Sequence, residues 1–373
     1  MEPNKELSKV TLVIDKIFTR KVLDELKAIG LNNVSVELGR SLVLKPVEGL
    51  KKLLSTKTAL VEDAAERFSF LVTPEQEAEV MTHLAHKLRI DDPGRGSLYS
   101  RSVTVPRSSG GPPAKLSLEP GERRVFASNL MGIACITQKG EANAVATIGL
   151  NTGTAVPLVT FGVGTGLRNR LGLWRVLVPA EKEVSTLIVD ASEAETVMEM
   201  MVSAGQLDQP GKGFIYLYPL RSGLLNTRFS DGNTSQAASV EQIVSALDDL
   251  KGGTEWRRKT LSEKGGQTSG RKFLRNLVNF AMICNEGYAE PLTKAAMDAG
   301  ATGATISQQR HVQLNEAASP SAASPAREVS LMTVAQPMVD ILLETLEKAG
   351  LFSDNVAGEV HLSPVPLALT YLK

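Results

Sequence analysis

Alternating apolar and polar residues open this chain and predict a strand that leads into a helix. Val10–Ile14 alternates with a period of two, as a half-buried strand does. The next segment then places Val22, Leu26 and Ile29 on one side of a helix, which is predicted to end at Gly30. A strand followed by an amphipathic helix is therefore the first predicted unit of structure.

A second pattern occurs three times along the chain. Each copy combines a β-branched strand, an amphipathic helix, a turn that contains glycine and a further strand. Gly96 follows Val80 at the same interval at which Gly213 follows Val197. Repetition of both pattern and spacing indicates an internal triplication. The three copies are Leu71–Val103, Leu187–Leu220 and Met332–Val365.

Together, the two patterns predict the fold class. Each unit would contain a strand, a helix, a strand, a long loop, a strand, a helix, a turn and a strand, which is the ferredoxin-like order. We expect an α+β protein of three tandem ferredoxin-like (βαββαβ) domains, arranged as an intramolecular pseudo-threefold trimer. Each antiparallel sheet would carry its helices on one face and leave the other face apolar, so that the three sheets cover one another.

The domain boundaries follow from composition. Residues 1–112, 113–228 and 273–373 are predicted to form the three domains. Residues 229–272 are predicted to form a linker with a short helix and a basic flexible loop.

The loop between the second and third strands differs in all three units, and variable loops on a repeated scaffold often determine binding specificity. In the first unit it is predicted to include a short helix at Val47–Leu54. The three predicted loops are Pro46–Glu66, Gly162–Gly172 and Ala317–Arg327.

Composition and charge narrow the functional classes. The 373 residues are 42% hydrophobic and 22% charged, with 41 acidic and 41 basic residues. This balance disfavours nucleic acid and anionic membranes as main partners. No apolar run approaches the length of a spanning helix and no signal peptide is recognisable, so we expect no membrane insertion and a cytoplasmic location. Cys135 and Cys284 lie in apolar runs and are expected to be buried thiols.

The turn before the last strand is the strongest candidate for ligand chemistry. Two copies place a cation between two glycines, and backbone N–H groups beside a cation suit a phosphate. The alternative is that these glycines merely allow a positive φ. The copy at Val356–Gly358 lacks the cation, so a site there is expected to be weak or lost. The candidate residues are Gly94, Arg95 and Gly96 in the first copy and Gly211, Lys212 and Gly213 in the second.

A second candidate is a glycine-rich strand end, whose backbone would allow close approach of a nucleotide or phosphate. Gly162, Gly164 and Thr165 belong to it, and a flexible loop root is the alternative explanation. Arg221 follows the last strand of the second unit and is predicted to reach a neighbouring cleft. The remaining chemistry is sparse. His83 and His86 lie three residues apart, but no third residue that could bind the same metal ion is recognisable, so no metal site is predicted. No catalytic acid, base or nucleophile set is recognisable, so we do not expect an enzyme.

Three segments resemble PII-type nitrogen regulatory proteins and their PII-like relatives: Asp298–Ile306, Pro179–Val189 and Pro210–Ile215. The resemblance implies ferredoxin-like units that bind adenine nucleotides in clefts between neighbours. It also implies that the turn at Gly211–Gly213 holds phosphate. Two segments, Gly162–Arg170 and Gln308–Ala326, would occupy the family's partner-docking loop.

The resemblance implies a PII-like signalling protein that regulates a partner through its loops. The expected effector is ATP, ADP, AMP or another small anion, with no resident cofactor. The expected partner is a protein such as a transporter or a metabolic enzyme. The chain itself would be a monomer that acts as a pseudo-trimer. The alternative is a scaffold without a ligand, which binds a protein through its loops or through Val240–Lys272.

Overall fold

A computed structural model describes residues 5–46, 58–92, 95–108, 116–118, 124–152, 156–165, 181–224, 271–314 and 323–371. We refer to residues 5–108, 124–224 and 271–371 as the first, second and last third. The first third contains β1 (Lys5–Asp15), α1 (Thr19–Ala28), β2 (Asn33–Pro46), β3 (Thr58–Val72), α2 (Glu77–Leu88) and β4 (Gly96–Val105). The second contains β5 (Leu130–Gln138), α3 (Ala142–Thr152), β6 (Leu158–Thr165), β7 (Glu181–Asp190), α4 (Ala194–Gly205), β8 (Gly213–Pro219) and β9 (Ser222–Leu224). The last contains β10 (Leu274–Asn285), α5 (Ala289–Asp298), β11 (Ala304–Gln313), β12 (Ala326–Ala335), α6 (Met338–Lys348) and β13 (Glu359–Thr370).

The order of strands and helices follows the repeat read from the sequence, but the predicted loops are too long. The segment Pro46–Glu66 was expected to be a loop, yet β3 begins at Thr58 and pairs with β2 from Thr58 to Ser69. Gly162 and Thr165 likewise belong to β6. The helix expected at Val47–Leu54 lies outside the described residues, as do most of the other two loops and most of the linker.

The predicted fold class is wrong. The described strands do not form three separate sheets, because strands of different thirds pair with one another: β2 with β6, β11 with both of them, and β13 with β4 and β8. Thirteen described strands form one hydrogen-bonded sheet, within which ten strands close into an antiparallel barrel. Closure removes the unpaired strand edges that separate domains would expose. The chain is therefore one barrel-dominated fold and not three tandem ferredoxin-like domains.

One face of the strands packs against the helices. In the first third, Val10 and Leu12 of β1 join Val22 of α1 and Leu84 of α2 in one buried cluster. Each of the other thirds has an equivalent cluster that joins strand and helix residues. Burial of these apolar side chains is the main stabilising contribution, about 1.5–3 kcal/mol for each fully buried Leu, Ile, Val or Phe.

The opposite face of the strands lines the barrel interior, and its chemistry differs between thirds. An interior cluster that includes no helix residue is formed mainly by the second and last thirds, with Tyr216, Tyr218 and Ile188 among its members. The first third contributes Tyr99 to this cluster and has Leu7 and Val103 in a smaller one, but it also presents Lys9 and Arg67 on the same face. The second face of the first third is thus partly charged and not apolar throughout.

Glycines end several helices as the sequence predicts. Gly30 follows α1 with φ +83°, and Gly300 follows α5 with φ +120°. At two other helix ends the left-handed residue is Arg89 or Gln206, so glycine is not required at every such position. None of the helices in the described ranges is long and apolar enough to cross a membrane.

Candidate functional site

Six of the ten predicted site residues lie at the same end of the strands of the second third. The register aligns Gly162 with Lys182 across β6 and β7, and Lys182 with Gln138 across β7 and β5. Thr137, the residue before Gln138, lies opposite Gly213 of β8. Neighbouring strands lie about 4.8 Å apart, so the strand end on β6 and the glycine turn before β8 lie about 14 Å from each other at the same end of the sheet. The six residues are Gly162, Gly164, Thr165, Gly211, Lys212 and Gly213.

Two lysines share one glutamate at this edge. Lys212 Nζ donates to Glu141 Oε1 at 2.8 Å, and both side chains are about one-third exposed, 34% and 32%. Burial lowers the pKa of Lys182, and the Glu141 carboxylate partly offsets that effect. Glu141 therefore interacts electrostatically with both cations.

The other carboxylates nearby are already paired. Glu183 accepts the backbone N–H groups of Gly140 and Ala142 at 2.9 and 3.2 Å, and it forms an ion pair with Arg40 at 3.1 Å. Lys139 pairs with an exposed glutamate of its own, Glu181, at 3.0 Å. These contacts leave two lysines against the single charge of Glu141.

Two polar atoms at the same edge have no hydrogen-bond partner in the described part of the chain. They are Oγ1 of Thr137, which is fully buried, and Oε2 of Glu141. Buried polar atoms are nearly always hydrogen-bonded. The Thr137 hydroxyl could donate to a further group, whereas the Glu141 carboxylate oxygen accepts hydrogen bonds and so does not itself attract an anion.

Three glycines beside the lysines occupy positions where a larger residue would clash or strain the backbone. A Cβ atom added at Gly164 would lie 2.8 Å from Cε of Lys182, so the lysine stem passes directly over that glycine. A Cβ atom at Gly213 would lie 2.2 Å from the carbonyl oxygen of Ile136. Gly211 has φ +73°, and its carbonyl accepts a hydrogen bond from Gln138 Nε2 at 3.0 Å. The local sequence thus requires glycine for both close packing and turn conformation.

The equivalent turn of the first third has its cation engaged elsewhere. Gly96 lies opposite Ile14, as Gly213 lies opposite Thr137. Arg95 donates to Asp92 at 3.3 Å, and its guanidinium lies 4.4 Å from the ring centre of Phe18. Phe18 occupies the place of Glu141, four residues after the strand position opposite the glycine. Gly94 lies outside the described residues.

The equivalent turn of the last third is filled by its own side chain. Ala357 stands where Lys212 stands in the second third. Arg327 corresponds to Lys182 in register and donates to the Ala357 carbonyl and to Asn285 Oδ1, both at 2.9 Å. The predicted loss of the cation in this copy of the turn is thus accompanied by an arginine that occupies the space.

Arg221 lies apart from both turns. Its Nε forms an ion pair at 2.9 Å with Glu77, a buried carboxylate on α2. Glu77 also accepts hydrogen bonds from Ser100 at 2.7 Å and Ser222 at 2.8 Å. Arg221 therefore joins the second third to the first, and the structure does not bring it to the other candidate residues.

Three residues of this site were missed by the sequence reasoning: Lys182, Glu141 and Thr137. The signal that could have found them is position. Each can be placed by counting from the strand that faces the glycine turn, once the pairing of the strands is known. Sequence spacing alone places Lys182 about thirty residues before Lys212.

Metal chemistry finds no support among the described residues. No group of three or more His, Cys, Asp or Glu side chains there is placed to hold a metal ion. His83 instead contacts Glu25 at 3.2 Å.

Comparison with protein-family models and with curated proteins found no match to this chain. The description of the chain as ferredoxin-like and PII-like is wrong, because its strands close into one barrel and no family match supports the resemblance. Any function must therefore be argued from the side chains themselves.

Proposed function

We propose that the edge formed by Lys182, Lys212 and Glu141 binds a small phosphate-bearing anion. The observation that supports this most directly is that two lysines share one glutamate while the neighbouring carboxylates are held by other groups. An anion that approaches Lys212 would replace one carboxylate contact by another charge-assisted hydrogen bond, a type stronger than neutral ones. The chain would act as a binding protein and not as a catalyst.

The three turns together favour the second third as the site. Arg95 is held by Asp92 and the Phe18 ring, and the last third has Ala357 and an inward Arg327 in the same places. Thr137, opposite Gly213 at the end of this turn, has a buried hydroxyl without a partner among the described residues, whereas the equivalent positions are Ile14 and Cys284. A strand hydroxyl beside the turn and a partly exposed lysine within it are found in the second third but not at the other two described turns.

Titration calorimetry with inorganic phosphate, AMP, ADP and ATP tests the proposal. Lys212→Ala should weaken binding about 10- to 100-fold, because a hydrogen bond to a charged group contributes about 1.5–3 kcal/mol. Lys182→Ala should act in the same direction. Lys139→Ala is the matched control, since that lysine lies beside the site but pairs with Glu181, and Arg95→Ala controls for the first turn.

The expected pattern is loss with the two site variants and retention with both controls. Absence of heat with every ligand at millimolar concentration would reject the proposal, and so would an equal loss with Lys139→Ala.

The scaffold alternative and the protein partner remain proposals that a separate experiment distinguishes. A pull-down that is unchanged by Lys212→Ala but abolished by removal of Gly252–Gly270 would favour a scaffold; that segment lies outside the described residues. A pull-down whose yield changes with added phosphate, and only when Lys212 is present, would favour a ligand-regulated partner.

We further propose a cytoplasmic location. Cys135 and Cys284 are both buried and unpaired, and burial raises the pKa of each thiol, which keeps it protonated. Unpaired thiols are the usual state in a reducing compartment.

A further inference from the structure

Two cations lie directly opposite one another inside the barrel. Lys9 of β1 pairs in register with Arg101 of β4, and both residues are partly buried. Like charges in directly opposed positions of an antiparallel pair destabilise the sheet. In the described part of the chain, no hydrogen bond or ion pair within 4 Å joins either side chain to a carboxylate. Arg101 instead lies 5.4 Å from the ring centre of Tyr218.

The nearest carboxylates are bound to other groups. Glu37 lies opposite Arg67 in the β2–β3 register and forms an ion pair with it. Glu359 holds His361 Nε2 at 2.6 Å. Both carboxylates act on Lys9 only through space. Three fixed or titrating cations therefore face two carboxylates, with the excess at Lys9 and Arg101.

The charged groups face the interior of the barrel. Lys9 lies on the face of β1 opposite to Val10 and Leu12, which pack on the helices. Burial, together with the charges of Arg101 and Arg67, lowers the pKa of Lys9 to about 7. Arg67 and Glu359 nevertheless keep 23% and 24% of their side-chain surface accessible. Both side chains therefore keep surface that a small solute can contact.

A buried ring nitrogen beside these groups lacks a partner. His361 is 5% exposed, and its Nδ1 has no hydrogen bond within the described residues. The charges of Lys9 and Arg101 both act on this ring, so it lies close to them. Because Nε2 donates to Glu359, this unpartnered Nδ1 is an acceptor in the neutral ring and a donor only in the doubly protonated ring.

We propose that the barrel interior binds a small oxyanion, such as sulfate, phosphate or a carboxylate, between Lys9 and Arg101. The planar guanidinium of arginine suits an oxyanion because it donates two parallel hydrogen bonds, whereas a halide accepts them at a single point. His361 uses its Nε2 proton for Glu359, so its Nδ1 would donate to the anion only when the ring carries both protons.

This site is independent of the one at Lys212, and variants separate the two. Calorimetry with inorganic phosphate should give two sites per wild-type chain. Lys9→Met should remove the interior site and leave the outer one, whereas Lys212→Ala should do the reverse. Lys5→Met, on the same strand but exposed, should change neither.

Methionine is chosen so that the variant still folds, because removing a buried charge also removes the cost of desolvating that charge. Lys9→Met is expected to unfold at the same temperature as the wild type or higher. Unchanged stoichiometry and affinity in a folded Lys9→Met would overturn the interior site. Loss of the outer site alone in Lys212→Ala would leave the interior inference standing.

Proton uptake gives a second measurement. Sulfate does not titrate near neutrality, so any proton taken up on its binding comes from the protein or the buffer. At pH 8, Lys9 is largely neutral, and an adjacent anion should raise its pKa so that about half a proton or more is bound. The other groups facing Lys9 are Arg101, Arg67, Glu37, Glu359 and His361.

Binding heats of sulfate in two buffers of different ionisation enthalpy report this uptake. Lys9→Met should bind sulfate at least tenfold more weakly in the interior and show clearly less buffer-dependent heat. Equal uptake by both proteins would contradict the assignment to Lys9. Sodium acetate at equal ionic strength tests the carboxylate, and sodium chloride should compete with neither anion.

Discussion

The inner face of the first third carries three cations among its apolar residues, whereas that of the second third is mainly apolar and aromatic, although both are built on equivalent strands. Lys9, Arg67 and Arg101 occupy this face in the first third. In the second, Gly132 lies opposite Tyr218, and Ile188 packs in the same interior cluster. Equivalent pairing of the strands therefore does not determine which side chains line the barrel interior. The barrel can close as long as each inward side chain suits the side chains around it.

The largest expected effect breaks the charged side of this comparison. Glu37→Gln leaves the Arg67 guanidinium without its ion-pair partner in the interior. Burial alone would lower the pKa of Arg67, but Glu37 outweighs it and raises the net value. Removing one partner of a buried pair typically costs about 3–5 kcal/mol. Chemical denaturation should show this loss, and the double variant Glu37→Gln, Arg67→Met should recover much of it.

A loss below 1 kcal/mol for Glu37→Gln would contradict the description of this pair as poorly solvated.

The next effect tests the apolar side. Gly132→Ala would place a Cβ atom 2.0 Å from the Tyr218 ring, so the ring must move within a filled cluster. Overpacking of this kind costs up to about 3 kcal/mol. The double variant with Tyr218→Ala should be less destabilised than the sum of the two single variants. Additive losses in denaturation would show that Gly132 and Tyr218 do not constrain each other.

Acid should weaken the charged side more than the apolar one. Burial alone would raise the pKa of Glu359, but His361, Arg327 and Lys9 lower it to about 2. A carboxyl whose folded pKa is depressed contributes stability above its unfolded value of about 4.3, and the contribution is lost as pH falls toward 2. We expect a loss of about 2 kcal/mol in that window, after allowance for partial solvent contact.

Glu359→Gln should flatten this part of the stability–pH curve, which thermal unfolding between pH 5 and pH 2 would record. A parallel curve for wild type and variant would show that another carboxyl is responsible.

The smallest effect marks the tolerance of the apolar face. Ile188→Val removes one methyl group from the interior cluster and should cost about 1 kcal/mol. It introduces no unpaired charge, so its stability should depend little on pH between 5 and 8. A pH-dependent loss comparable with that of Glu37→Gln would remove the distinction between the two faces.

The sequence predicts the local elements well, because they depend on neighbouring residues. The strand at Val10–Ile14 and the helix that follows are present, and Gly30 and Gly300 take positive φ angles at helix ends. Fold class could not be read in the same way. The pairings that close the barrel, such as Gly39 with Thr160, join residues far apart in the chain.

The candidate site was predictable only in part, for the same reason. The glycine turn at Gly211–Gly213 and the strand end at Gly162 carry visible local signals. Lys182 and Glu141 carry none, because a lone lysine or glutamate at a strand or helix end is usually a solvated residue. Lys9 could not be recognised from the alternating pattern, because a polar residue on the second face of a strand ordinarily contacts water. Here that face lines the barrel interior.

Since a single polypeptide supplies every strand of the barrel, each interior position exists once. In a ring of identical copies, any lysine placed near the axis would be repeated around it, and the repulsion would multiply with each copy. Here a mutation changes a single position of the barrel interior. An interior that is basic on one side and apolar on the other is therefore accessible to this chain by single substitutions.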